Sequence, residues 1–153
     1  MDKSRFFTRQ KANAGFKLAL PDPVSGAPTD AWLQVLGCDS DVARRGDIAT
    51  QRELSKLYAE AFAETDDKVK ARELVQKAKT ESAEADMVRE SASLVVDWSF
   101  DGFSPENVIA FLTEAPQIAD LVIVKSKDRA NFFGGGASSS SPTPKPTSDS
   151  ASP

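Results

Sequence analysis

The amino-acid sequence predicts a mostly α-helical α+β fold, and three observations lead to that class. Between residues 15 and 37, apolar residues alternate with small or polar ones, which is the pattern of half-buried strands. From residue 39 to residue 104 the chain contains no Pro, as long helices require. The stretch 134–153 is dominated by Ser and Pro and has almost nothing to bury, which is typical of a disordered tail.

These observations predict one folded domain with two extensions. We expect a flexible basic arm at 1–14 and a folded domain at 15–133, followed by the disordered tail at 134–153. Within the domain, 15–37 should form a small antiparallel strand pair. The part from 39 to 133 should form a helical hairpin followed by two shorter helices.

Composition restricts the function more than it identifies it. The chain has 153 residues, a formal net charge of −4, one Cys and no His. Catalytic triads and acid–base steps that need imidazole are therefore excluded, as are zinc sites built from His and Cys. Cys38 has no partner for a disulfide within the chain, and no apolar run is long enough to span a membrane. We expect a cytosolic protein that is not an enzyme and binds no metal or cofactor.

The first seventeen residues are basic and carry two Phe residues. Their cations are Lys3, Arg5, Arg9, Lys11 and Lys17, against Asp2 alone. One interpretation is an arm that docks on an acidic partner or on nucleic acid. The favoured interpretation is a mobile, solvated terminus on which Phe6 and Phe7 pack locally.

The two predicted strands are separated by a loop. Residues 16–20 form the first strand, and residues 31–36 form the second, which ends at Gly37. Between them, residues 21–28 contain three Pro and one Gly, which favour an open loop. Because an isolated strand pair is marginally stable in water, we expect it to pack on the helices that follow.

The helical hairpin is predicted from capping residues and apolar spacing. Residues 38–41 offer Asp and Ser caps for a first helix that reaches about residue 64, and 65–67 offer caps for a second helix over 68–98. The first helix carries an apolar stripe expected to lie in the core. The members of this stripe are Leu54, Leu57, Tyr58, Ala61 and Phe62.

The clearest helix start lies near the end of the chain. Ser104 is a good N-cap and Pro105 suits the first helical position. We expect the buried side of this helix to consist of Val108, Ile109, Phe111 and Leu112, and Pro116 to end it. After Pro116, the β-branched residues of 121–124 leave a buried strand open, whereas the spacing that continues to residue 132 favours a helix.

Several short stretches resemble the tail assembly chaperones of long-tailed bacteriophages. They are Val95-Val96-Asp97-Trp98-Ser99-Phe100, Phe103-Ser104-Pro105-Glu106-Asn107, Ala115-Pro116-Gln117-Ile118 and Lys127-Asp128-Arg129-Ala130-Asn131-Phe132-Phe133. The earlier stretches 20–28 and 36–40 are also similar to the N-terminal part of some of these proteins. The long charged stretch 68–85 departs from the family pattern.

The resemblance implies a binding function. A protein of this family would bind the tape-measure protein, keep it soluble during tail tube assembly in the host cytoplasm, and be absent from the mature virion. The tail tube protein and a longer frameshift product of the same gene are further implied partners. Binding of this kind needs an exposed apolar surface, for which the candidates are Trp98, Phe100, Phe103 and Phe132. The alternative for these four residues is ordinary core packing near a turn.

Two other functions are also compatible with the sequence. The chain is also compatible with a structural minor tail or head–tail component of the virion, or with a small nucleic-acid-binding regulator that uses the basic N-terminus. The mildly acidic composition disfavours a nucleic-acid partner, because phosphate binding needs clustered Lys and Arg.

Overall fold

A computed structural model of the chain describes residues 3–133 and confirms the mostly α-helical α+β class. A 3₁₀ turn at Lys3–Phe6 precedes α1 (Arg9–Ala14), β1 (Phe16–Pro21), β2 (Pro28–Val35), α2 (Asp41–Glu64), α3 (Lys68–Leu94), β3 (Val95–Trp98), α4 (Pro105–Glu114), α5 (Pro116–Lys127) and α6 (Ala130–Phe133). The tail predicted at 134–153 lies outside the described residues.

The sheet has three antiparallel strands in the order β1-β2-β3, where two were expected. Leu33 of β2 pairs with Leu18 on one side and with Trp98 on the other. The helix predicted over 68–98 therefore ends at Leu94. Two consecutive Val residues and a Trp favour a strand, and the free edge of β2 offers backbone groups for them to pair with. Residues 95–98 therefore pair with β2 and do not continue α3.

The main core lies between the inner face of the sheet and the helices α3, α4 and α5. Leu33 and Val35 of β2 are fully buried at its centre. The sheet packs against the last turns of α3 and against the buried faces of α4 and α5. The helical contribution is Val88, Leu94, Val108, Leu112, Ile118, Ala119 and Val122. The alternative of a strand at 121–124 is wrong, because these residues belong to α5.

The helical hairpin of α2 and α3 has a second, smaller core near its tip. Its starts are capped as the sequence predicts: Ser40 accepts from Ala43 N, and Asp67 accepts from Val69 N. The hairpin core consists of Ala61, Ala71 and Val75, with Leu54 and Leu57 partly buried against it.

The prediction that the whole α2 stripe is buried is wrong for two of its members. Tyr58 is 38% exposed and Phe62 is 45% exposed. In this part of the hairpin α2 packs against α3. One helix covers only a narrow stripe of its neighbour, and Tyr58 and Phe62 lie beside that stripe.

The predicted basic arm is also partly wrong, because residues 9–14 form α1 and belong to the fold. Ala12 is 3% exposed, and its carbonyl oxygen accepts from Gly37 N at 3.0 Å. This close contact between α1 and the residue after β2 requires Gly37, since a Cβ at that position would lie 2.9 Å from the Cβ of Ala12. A small residue on each side lets α1 pack directly beside the end of β2.

Within residues 3–133, no single helix is long and apolar enough to cross a membrane. The consecutive helices α4 and α5 reach the required length and hydropathy only as a pair bent by 112°.

Gly15 and Gly26 offer a matched pair of substitutions that tests the junction between α1 and β1. Gly15 has φ +71° and ψ −174°, a region essentially restricted to Gly, and a Cβ there would lie 2.6 Å from Val35 O. Gly26 has φ +70° but open space around it. We predict that Gly15→Ala lowers the free energy of unfolding by roughly 3 kcal/mol or more, and Gly26→Ala by about 1–2 kcal/mol. Urea unfolding measures both, and equal losses would contradict the close contact at Gly15.

Candidate partner-binding surface

The loop after β3 is held at both of its ends by hydrogen bonds. Ser99 N donates to Trp32 O at 3.0 Å, and Ser99 Oγ accepts from Trp32 N at 2.9 Å. At the other end, Gly102 adopts φ +68° and its carbonyl oxygen accepts from Asn107 Nδ2 at 2.7 Å. The loop therefore presents residues 100 and 103 in a defined arrangement.

Three of the four aromatic residues predicted from the sequence lie together at this loop. Trp98 makes edge-to-face contacts with Phe100, Phe103 and Phe111, at centroid distances of 5.4, 5.9 and 5.9 Å. We call Trp98, Phe100, Phe103 and Phe111 the aromatic cluster. Phe100 also contacts Phe111 at 5.4 Å, so α4 contributes directly to the cluster.

Burial separates the roles of these residues. Trp98 is only 8% exposed, whereas Phe100 and Phe103 are each 41% exposed. Trp98 is thus the support of the cluster, and the two Phe rings are its accessible part. The buried Nε1 of Trp98 has no hydrogen-bond partner among the described residues. Because an unpaired buried donor costs about 1–3 kcal/mol, packing of the indole ring must outweigh that cost.

Two further apolar residues on the same elements are exposed and were missed by sequence reasoning. Val96 of β3 is 42% exposed, and Ile109 of α4 is 43% exposed. The expectation that Ile109 is buried is wrong, because α4 buries Val108 and Leu112, which lie one turn apart on a single face. An amphipathic helix of this length leaves the residue beside that face in solvent.

Phe132 does not join the aromatic cluster. It lies partly buried against Phe16, edge-to-face at 5.0 Å, and a Cβ at Gly37 would come within 3.0 Å of its Cζ. Phe132 therefore packs the end of the described chain onto the start of β1. The sequence contains no long-range signal that would have separated it from the other three aromatic residues.

The segment that carries Phe132 is held by a bidentate ion pair. Arg129 Nε and Nη2 donate to the two carboxylate oxygens of Asp39 at 2.7 and 2.9 Å. These hydrogen bonds, with a further one from Thr8, hold the pKa of Asp39 below its ordinary value of 3.8. Asp39 precedes α2, so the pair joins the end of the described chain to the base of the hairpin.

A second pair of exposed aromatic residues lies on the hairpin. Tyr58 and Phe62 stack at 6.5 Å on α2. This pair is exposed to an extent similar to that of Phe100 and Phe103, but it lies on the part of the hairpin whose core is made of two alanines and one valine. It is the principal competing candidate for a binding surface.

Three of the N-terminal cations make contacts within the chain. Arg9 pairs with Asp41, Lys11 Nζ lies 4.9 Å above the ring of Phe133, and Lys17 Nζ lies 4.0 Å above the ring of Trp32. These contacts direct part of the basic charge onto the protein's own surface. The geometry gives no support to a continuous phosphate-binding patch built from these three residues.

Within residues 3–133 no group of three or more His, Cys, Asp or Glu residues is arranged to hold a metal ion. What the chain does present is exposed aromatic area on a supported loop, which is suited to binding another apolar surface. Comparison of the chain with protein-family models, curated proteins and solved structures finds no match.

The different burial of Trp98 and Phe103 leads to a prediction about stability. We expect Trp98→Ala to lower the free energy of unfolding by about 3–5 kcal/mol, because it leaves a cavity under the cluster. Phe103→Ala removes a ring that is already 41% exposed, so the expected loss is roughly 1 kcal/mol. Chemical denaturation measures both variants. Similar small losses would show that Trp98 is a surface residue.

The ion pair of Asp39 and Arg129 leads to a prediction about pH. The pKa of Asp39 is lowered in the folded state, so its stabilising effect is complete above the unfolded pKa of about 3.9 and is lost as pH falls through the folded pKa. The wild type should therefore exceed Asp39→Asn in stability by a constant margin above about pH 5, and this margin should shrink below about pH 4. Thermal melts at pH 3–7 measure the margin. A margin that grows towards acid pH would contradict the assignment.

Proposed function

We propose that this chain is a phage tail assembly chaperone that binds the tape-measure protein through the surface formed by Phe100 and Phe103. One observation carries the proposal. Two Phe rings remain 41% exposed around a buried Trp, on a loop that hydrogen bonds hold at both ends. Two of the stretches that resemble these chaperones, 95–100 and 103–107, form β3, this loop and the start of α4.

The exposed area suits a partner that must later be released. An aromatic side chain buries about 200 Å² when fully covered, so covering the exposed 41% of each ring contributes about 2 kcal/mol at about 25 cal/mol per Å². Association costs of several kcal/mol oppose this gain. The surface thus supports weak to moderate binding, as expected of a chaperone that delivers its partner to a growing structure.

The form of the surface favours an apolar helical segment as its partner. The aromatic cluster combines rings from a loop and a helix, which can cover the apolar stripe of an amphipathic helix. A long helical tape-measure protein presents such stripes before the tail tube encloses it. Covering them would keep that protein soluble in the host cytoplasm, and the chaperone would be absent from the mature virion. No catalytic step is part of this function.

Co-expression with the tape-measure protein tests the proposal, and the chain offers matched variants. Phe100→Ser/Phe103→Ser removes the exposed rings of the aromatic cluster, whereas Tyr58→Ser/Phe62→Ser removes two equally exposed rings from the hairpin. We expect the wild type and the hairpin variant to keep the tape-measure protein soluble and to co-purify with it. The cluster variant should lose at least about tenfold in the amount recovered, since losing both ring contributions of about 2 kcal/mol each exceeds a factor of ten.

Circular dichroism establishes first that both variants are folded. If the tape-measure protein stays insoluble with the wild-type chain, and this chain is found in purified particles, the structural-component alternative replaces the proposal. Loss of binding by the hairpin variant alone would move the binding surface to α2.

A further inference from the structure

The aromatic cluster lies in a part of the chain that carries negative charge only. Between Arg89 and Lys125 there is no Lys or Arg, and six acidic residues occur. All six are exposed: Glu90, Asp97, Asp101, Glu106, Glu114 and Asp120. The stretch holds six of the 23 acidic residues and none of the 19 cations of the chain, so the remainder of the chain is slightly cationic.

Three of these acids lie close in the chain to exposed apolar residues. Asp97 follows Val96, Asp101 follows Phe100, and Glu106 is three residues before Ile109 on α4. None of the three forms an ion pair with a described residue. Asp97 Oδ1 accepts a hydrogen bond from Trp98 N at 2.9 Å.

The hairpin differs from this surface in its charge pattern. Around Tyr58 and Phe62, acidic and basic residues are mixed, and Lys56 lies 3.7 Å from Glu60 in an ion pair. Opposite charges on the hairpin therefore neutralise one another locally. Of the two stretches compared, only the one that carries the aromatic cluster has charges of one sign, and we call its six acidic residues the acidic rim.

We propose that the occupant of the aromatic cluster is an amphipathic helix whose apolar stripe is flanked by Lys and Arg residues. This inference rests on the proposed function and specifies which segments of the partner are bound. An acidic rim repels segments flanked by Asp or Glu and attracts basic ones, which affects specificity and the rate of association. Each exposed ion pair contributes little by itself, and salt weakens it. The apolar rings supply affinity, and the rim selects among apolar helices.

Two synthetic helical peptides with the same Leu and Ala stripe test the inference, one flanked by Lys and the other by Glu. Fluorescence anisotropy gives their dissociation constants for the full chain at about 50 mM and about 300 mM NaCl. We expect the Lys peptide to bind about tenfold more tightly at low salt, as three or so exposed ion pairs would give. The difference should shrink severalfold at high salt.

Charge variants of the chain assign the effect to the rim. Asp101→Lys/Glu106→Lys should abolish or reverse the preference, and Asp101→Asn/Glu106→Gln should reduce it without placing a cation at the start of α4. Glu53→Lys/Asp66→Lys, which makes the same change in net charge at exposed positions of the hairpin region, should leave the preference intact.

The outcomes separate this inference from the proposed function. Equal binding of both peptides at low salt overturns the inference and leaves the chaperone function standing. If neither peptide binds the chain, but the chain still solubilises the tape-measure protein, the inference is also overturned and the chaperone function still stands. If neither peptide binds and the tape-measure protein also stays insoluble, the proposed function is overturned.

Discussion

The pairing of β3 with β2 is the constraint on which the rest of the structure depends. β2 carries Leu33 and Val35, both fully buried, and it is the middle strand of the sheet. α3 runs directly into β3, where Leu36 N donates to Leu94 O at 2.8 Å at the junction. This junction fixes the end of the hairpin against the sheet. It also determines where the chain leaves β3 and therefore where the aromatic cluster forms.

The same constraint explains how aromatic rings remain exposed in a stable protein. Trp98 is directly opposite Leu33 in the sheet, so its indole ring is held by the main core. Phe100 and Phe103 make edge-to-face contacts with that ring and need no deeper burial to be positioned. The energy that orders the surface comes from the core beneath it. The exposed parts of the rings remain available to a partner, which is the arrangement that reversible binding requires.

Local signals in the sequence predict the helix starts and much of the core, whereas features that depend on distant contacts escape prediction. Ser104 and Pro105 begin α4 as expected, because capping involves only neighbouring residues. β3 was missed because a strand of four residues is defined by its partner strand. Tyr58 was expected in the core because an apolar stripe does not reveal how much of it a neighbouring helix will cover.

The candidate site was predictable to a similar extent. Trp98, Phe100 and Phe103 are close in sequence and come together, whereas Phe132 packs with Phe16, more than a hundred positions away along the chain. The exposure of Val96 and Ile109 depends on the positions of the sheet and of α4 relative to each other. The acidic rim, in contrast, is visible in the sequence alone as a long stretch without Lys or Arg. Its relevance to binding follows only from the structure, in which Phe100 and Phe103 of the same stretch are exposed.

Hydrogen–deuterium exchange of the chain, alone and mixed with the tape-measure protein, tests whether Phe100 and Phe103 form the binding surface. We expect the partner to slow exchange in 96–111, which includes the loop after β3 and the first two turns of α4. Exchange in the hairpin, from 54 to 75, should be unchanged. Protection confined to the hairpin, with no change in 96–111, would contradict the account and assign binding to the surface that carries Tyr58 and Phe62.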